Sequence, residues 1–130
     1  MFSGLFNKKL LTDRQKLGNW GEKKAEKFLK KKGLKLLARN FSYKTGEIDL
    51  IMVDSDRSIV FVEVRTRAKE DFVNTEETVN FTKRKKIKKT ARIFLAENQI
   101  EDRPFRFDVV TVIANNSKYP VINYFESAFR

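Results

Sequence analysis

Asp49, Glu63 and Arg65 are the residues of this chain whose types and spacing suit a chemical task. They stand in two short apolar stretches, Gly46-Glu47-Ile48-Asp49-Leu50-Ile51 and Val60-Phe61-Val62-Glu63-Val64-Arg65. Each stretch reads as a strand, and the turn-like Asp54-Ser55-Asp56-Arg57-Ser58 separates them. Side chains two apart on a strand share a face. Glu63 and Arg65 therefore project together, with Val62 and Val64 on the other side. Glu47 and Asp49 project together, with Ile48 and Leu50 packed behind them. Pairing the strands as a hairpin brings Asp49 and Glu63 to one point. Two carboxylates beside a cation suit a hard divalent ion working on phosphate, because oxygen ligands hold Mg²⁺ or Mn²⁺ and the cation faces developing charge. Such a pattern is loose, and on its own it more often marks an ordinary hairpin with a solvated face.

What the chain lacks narrows the chemistry further. It contains no Cys and no His. That excludes disulfides, thiolate zinc sites, iron–sulfur clusters and a Cys nucleophile. It also removes the commonest general base and the commonest transition-metal ligand. Catalysis would run on carboxylates, Lys, Arg, Tyr, Ser or Thr, and a bound metal would be one that prefers oxygen.

The net charge of +11 is unevenly spread. Residues 1–45 carry 13 Lys and Arg against 3 acids, and residues 83–92 carry 7 basic residues and no acid. Residues 46–82, by contrast, carry 4 basic residues against 9 acids. Basic blocks attract a polyanion and neutralise its phosphates. Acids clustered between them repel that ligand unless a cation fills the pocket. The composition thus points to nucleic acid as partner, with a solvated basic surface as the plain alternative.

The elements that must position these residues follow from periodicity. Leu17, Trp20, Gly21, Ala25, Phe28 and Leu29 recur at three- and four-residue steps and predict a helix over 12–32, with Thr12 or Asp13 at its start and Gly33 at its stop. Gly18 and Gly21 are poor helix formers and hint at close packing. Residues 34–43, 46–54 and 58–66 read as strands, 67–78 as a loop and 79–98 as a second helix, with Val79, Ile87, Ala91, Phe94 and Leu95 as its packed stripe. Phe105 to Ile113 is the clearest strand, Asn115-Asn116-Ser117 is a turn signal, and Val121 to Phe125 is a short last strand. The 130 residues form one domain: 1–11 a loose N-terminal arm, 12–130 a single α/β unit with a mixed central sheet and the helices packed on it. No stretch is long and apolar enough for a membrane, and Met1 to Phe6 lacks the order of a signal peptide, so a cytoplasmic protein is expected.

These pieces together resemble a known family. Gly18-Asn19-Trp20-Gly21-Glu22 with Ala25 and Leu29, Arg39-Asn40, Gly46 to Ile51, Phe61 to Arg67, Lys83 and Arg106 to Val110 are similar, in order, to the YraN-like family of bacterial proteins. Through it the chain resembles the PD-(D/E)XK nuclease superfamily and, within that, archaeal Holliday-junction resolvases. The resemblance implies a restriction-endonuclease-like core of helix, three strands, helix and strand. It implies a metal-dependent endonuclease acting on DNA, with branched structures among the substrates, and it leaves a homodimer open. By position it makes Asp49 and Glu63 metal-binding acids, with the Val64 carbonyl as a further ligand. Glu22 becomes the acid of the first helix that faces the site, and Lys83 a group near the phosphate. Arg65 stands where the superfamily usually has Lys. Arg stabilises charge on phosphate but does not give up its proton, so it hardly serves as a base.

The other cations and acids read as follows. Lys16, Arg39, Arg67, Arg84 and Lys86 are expected phosphate contacts. Glu47 is either a ligand neighbour or a surface acid. Asp108 and Arg106 share a strand face and are expected to form a structural ion pair, and Trp20 and Phe28 are expected in the core. Two rivals to the nuclease stay open: a non-catalytic nucleic-acid binder that keeps the fold, and a module that docks on an acidic protein.

Overall fold

The computed structural model describes residues 13–69, 79–116 and 118–130. The expected N-terminal arm, Thr12, most of the 67–78 loop and Ser117 lie outside these residues. Seven elements follow one another: α1 (Asp13–Lys31), β1 (Lys35–Tyr43), β2 (Gly46–Val53), β3 (Ile59–Arg67), α2 (Phe81–Glu97), β4 (Phe105–Ile113) and β5 (Val121–Phe129). The strands make one sheet in the order β1-β2-β3-β4-β5. Neighbours are antiparallel except β3 and β4, which run parallel with α2 in the connection between them. The mixed sheet and two packed helices are the α/β architecture expected from the sequence.

Each face of the sheet carries its own apolar cluster, and period-two alternation assigns the residues. Met52, Val60, Val62, Val110 and Val112 pack with Ala25 and Leu29 of α1, with Trp20, Phe28 and Tyr124 partly buried beside them. Ile51, Ile59, Phe61, Phe107 and Val109 pack with Ile87, Ala91 and Phe94 of α2. The central strands β3 and β4 are therefore apolar on both faces. β3 leaves the core at Glu63: its first five residues are buried and its last four are half-exposed.

Alternation breaks at one place, and the break matters. Ile48 packs on the α2 side of the sheet, whereas Leu50 packs on the α1 side. The sequence reading put both behind Asp49. Asn40, which the register sets opposite Asp49, has φ +49° and resets the side-chain alternation of the strand pair. On β1, accordingly, Arg39 reaches Glu26 of α1 while Phe41 packs against Phe94 of α2.

Two boundaries also differ from expectation. α2 begins at Phe81, because the Asn80 side chain caps it by accepting from the Lys83 amide at 2.9 Å. Val79 is buried but precedes the helix. β5 runs on to Phe129: a register shift opposite Phe107/Val109 and a positive φ at Ser127 carry it past Glu126, and Phe129 stacks on Phe107 at 5.1 Å.

Gly21 lets α1 lie tightly against β3 at Thr66. A Cβ added there would stand 1.9 Å from Thr66 Oγ1 and 2.8 Å from Thr66 Cβ, so no rotation of Thr66 relieves the clash. A Cβ on Gly18 meets nothing within 4 Å. Gly21→Ala is expected to destabilise by about 1–3 kcal/mol through overpacking, and Gly18→Ala to stabilise by up to about 1 kcal/mol through helix propensity. Urea midpoints for the two variants test this, and equal shifts of one sign would refute the close approach.

Candidate active site at the fork of two strands

β2 and β3 pair from Val53↔Ile59 to Leu50↔Val62, and the pairing then ends. Beyond that point the Asp49 side chain takes over from the backbone: its Oδ2 accepts the Val64 N–H at 2.7 Å. The fork this opens brings the Asp49 carboxyl within hydrogen-bonding reach of Glu63. Glu63 is itself buried, as a carboxylate seldom is without a partner. Its partners are cationic. Lys83 of α2 makes an ion pair with Oε2, and Arg65 Nη1 lies 3.7 Å from the same oxygen.

These groups open into a cleft of about 430 Å³ lined by Gly46, Glu47, Asp49, Glu63, Asn80, Thr82, Lys83, Lys86 and Ile87. On the α1 side, a neighbouring hollow is lined by Asn19, Glu22, Lys23, Glu26, Arg39, Asn40 and Leu50. Asn40 joins the two sides. In its hydrogen-bonding orientation, its amide nitrogen donates to Glu22 Oε1 at 2.9 Å and to Glu47 Oε1 at 3.3 Å. Nothing in the sequence reading gave Asn40 this task, although its position opposite Asp49 was available once the strands were paired.

Crowded acids in a partly dry site resist ionisation. Burial, followed by the neighbouring Glu63, pushes the Asp49 carboxyl up to about 9, against the pull of the Val64 amide. Burial and then the charge of Glu47 raise Glu22 as well. Raised this far, the Asp49 carboxyl keeps its proton at neutral pH. The donor set is hard oxygen only, which fits Mg²⁺ or Mn²⁺, and an ion there would replace that proton. Among the described residues no three acids gather closely enough to form one ligand set. Glu22 and Glu47 stand back from the pair, so such an ion would keep several waters.

The remaining expected contacts divide into two groups. Lys83 and Lys86 line the cleft. Arg39 does not: it forks onto Glu26 at 2.6 and 2.8 Å in a separate groove shared with Lys23, Lys27, Lys30 and Lys31. The Arg39 hydrogen bonds hold the Glu26 carboxyl down to about 2. Arg84 turns inward, donating to the Val79 carbonyl at 2.7 Å and covering the Phe129 ring. Arg67 donates to the Thr66 carbonyl at 3.1 Å, and Lys16 is exposed on α1. The expected pair of Arg106 and Asp108 is present, with Nε to Oδ1 at 3.1 Å.

A mixed sheet with a helix on each face and two carboxyls at the fork of β2 and β3 defines an α/β protein with a restriction-endonuclease-like core. Comparison with known proteins adds the lineage. The profile of the Uncharacterised protein family UPF0102 matches residues 21–112. A UPF0102 protein of Nocardia farcinica is 40% identical over 117 residues, covering 90% of this chain and 91% of its own. One from Caldicellulosiruptor saccharolyticus is 40% identical over 118 residues, covering 90% and 99%. One from Aliivibrio fischeri is 41% identical over 113 residues, covering 85% and 89%. The chain belongs to the UPF0102, or YraN-like, family. No described helix is long and apolar enough to cross a membrane.

Proposed function

We propose that this protein is a Mg²⁺- or Mn²⁺-dependent endonuclease that hydrolyses phosphodiesters in DNA, with branched structures among its substrates. The observation that carries the reading is the convergence of Asp49 and Glu63 in a cleft whose rim is cationic. Asp49, Glu63 and the Val64 carbonyl would hold the ion. When bound, the ion supplies an acidified water and neutralises phosphate charge. The chain's own residues do the rest. Lys83 and Lys86 receive the phosphate at the mouth of α2. Arg65 stays protonated beside Glu63 and offsets charge that develops on the phosphoryl oxygens. Glu22, whose carboxyl burial and Glu47 push up, accepts from Asn40 and with it fixes the α1 wall of the site.

The decisive experiment compares cleavage of branched, single-stranded and duplex DNA with and without Mg²⁺ or Mn²⁺. Asp49→Ala and Glu63→Ala are each expected to abolish metal-stimulated cleavage, a loss of roughly a hundredfold or more, while DNA affinity holds, or rises where Glu63→Ala frees Lys83 from its ion pair. Cleavage that survives both substitutions refutes the assignment. Arg65, in place of the usual lysine, favours a second reading, a nucleic-acid binder that keeps the fold without turnover. Salt-sensitive DNA binding with no metal-stimulated cleavage selects that one.

A further inference from the structure

Phe81 is 78% exposed, although it is the first residue of a helix whose other large apolar residues are largely covered. It stands between Asn80 and Thr82, both of which line the carboxylate cleft. Positions 81, 85 and 89 follow one another up one face of α2 and are all exposed, which places Phe81 at the foot of a stripe completed by Lys85 and Lys89. Beside it runs the cleft-facing stripe of Thr82, Lys83 and Lys86. From Phe81 to Leu95 the helix carries no acid.

A flexible polyanion laid along α2 finds cations on two adjacent stripes, with one unshielded ring at the cleft end. Phe81 lies between two lining residues, Asn80 and Thr82, at the helix start, so a strand that leaves the cleft past them crosses that ring. Duplex DNA keeps its bases stacked on each other and has none to offer. We propose that Phe81 is a stacking platform for an unpaired nucleobase next to the phosphate in the cleft, and that it makes the site select single-stranded or branched DNA over continuous duplex. This inference rests on the reading of the cleft as a nucleic-acid site, but not on hydrolysis.

The test is therefore run in EDTA, with the full chain and three DNAs of one length: a single strand, a fork with an unpaired 2-aminopurine at its branch, and a blunt duplex. Stacking on an aromatic residue makes a large share of single-strand affinity, so Phe81→Ala is expected to weaken binding of the strand and the fork about tenfold and of the duplex less than about twofold. Phe81→Trp is expected to restore binding. Quenching of 2-aminopurine is expected with the wild type and with Phe81→Trp, and to vanish with Phe81→Ala. Equal weakening on all three DNAs, or none, overturns the proposal. So does a loss confined to binding of phosphatidylglycerol vesicles, which would make the ring a membrane contact. Quenching that persists in a protein with no metal-stimulated cleavage supports the platform and sinks only the hydrolytic reading.

Discussion

Asp49→Asn is expected to make the fold more stable by about 1–3 kcal/mol at pH 7, and to abolish stabilisation by Mn²⁺. The sign follows from the folded protein's hold on a proton. Burial and Glu63 raise the Asp49 carboxyl from 3.8 to about 9. Between those values the folded chain keeps a proton that the unfolded chain has released, so stability falls as pH rises through this window. Asn imitates the protonated acid: its oxygen still accepts the Val64 amide and its nitrogen can donate to Glu63. The variant does not titrate at this position. Its advantage should be small near pH 4 and should widen toward pH 9. Denaturant midpoints at pH 5, 7 and 8.5 check this, and two parallel curves would remove the proton from the Asp49 carboxyl. Wild-type protein is expected to bind Mn²⁺ more tightly as pH rises, because the ion must expel that proton. At about a hundred times its dissociation constant, the ion should add about 2.7 kcal/mol. Asp49→Asn should show no such gain.

The second large effect lies on the other side of the sheet. Asp108 is fully buried, and its carboxylate is surrounded by donors. Arg106 Nε lies 3.1 and 3.2 Å from its two oxygens, the Tyr124 hydroxyl donates at 2.5 Å and the Ser127 amide at 2.9 Å. Arg106 extends the network to Asp54 at 2.9 Å, in the turn between β2 and β3. Burial and the hydrogen bond to Asp108 push the Tyr124 phenol up. Removing the carboxylate strands a half-desolvated guanidinium and an amide in the β5 irregularity. Asp108→Ala is therefore expected to cost about 3–5 kcal/mol, as breaking a buried ion pair does. Asp108→Asn, which keeps an acceptor for Ser127, should cost less. Thermal melts measure both. A cost under about 1 kcal/mol for the alanine variant would mean that Asp54 alone satisfies Arg106. The Asp49–Glu63 pair is untouched, so the cleavage proposed for that site should be retained per folded molecule.

The two networks differ in their supply of donors as well as in place. Asp108 alone receives three donors, one of them the Arg106 guanidinium. Among the described residues, the two acids at the fork share the Val64 amide, which Asp49 accepts, and the cations Lys83 and Arg65, which oppose Glu63. A fold that needed only stability would not keep a carboxyl as resistant to ionisation as Asp49 there. A site that must receive a cation gains from that unmet demand.

The order of elements, the convergence of Asp49 with Glu63 and the pairing of Arg106 with Asp108 were legible in the residues themselves. Local periodicity fixes which way a side chain points within its own element, and each of these readings needed only that direction and a neighbouring strand. Tertiary structure decided the rest. Lys83 meets Glu63 because α2 crosses the sheet at that point. Arg39 pairs with Glu26 and Arg84 covers Phe129, through contacts between segments distant in the chain. Asn40 reverses the alternation that β1 and β2 were expected to keep, and no periodicity announces a left-handed residue. The raised Asp49 carboxyl is likewise a property of the packed molecule, since desolvation depends on every atom that excludes water from a site, whatever its distance along the chain.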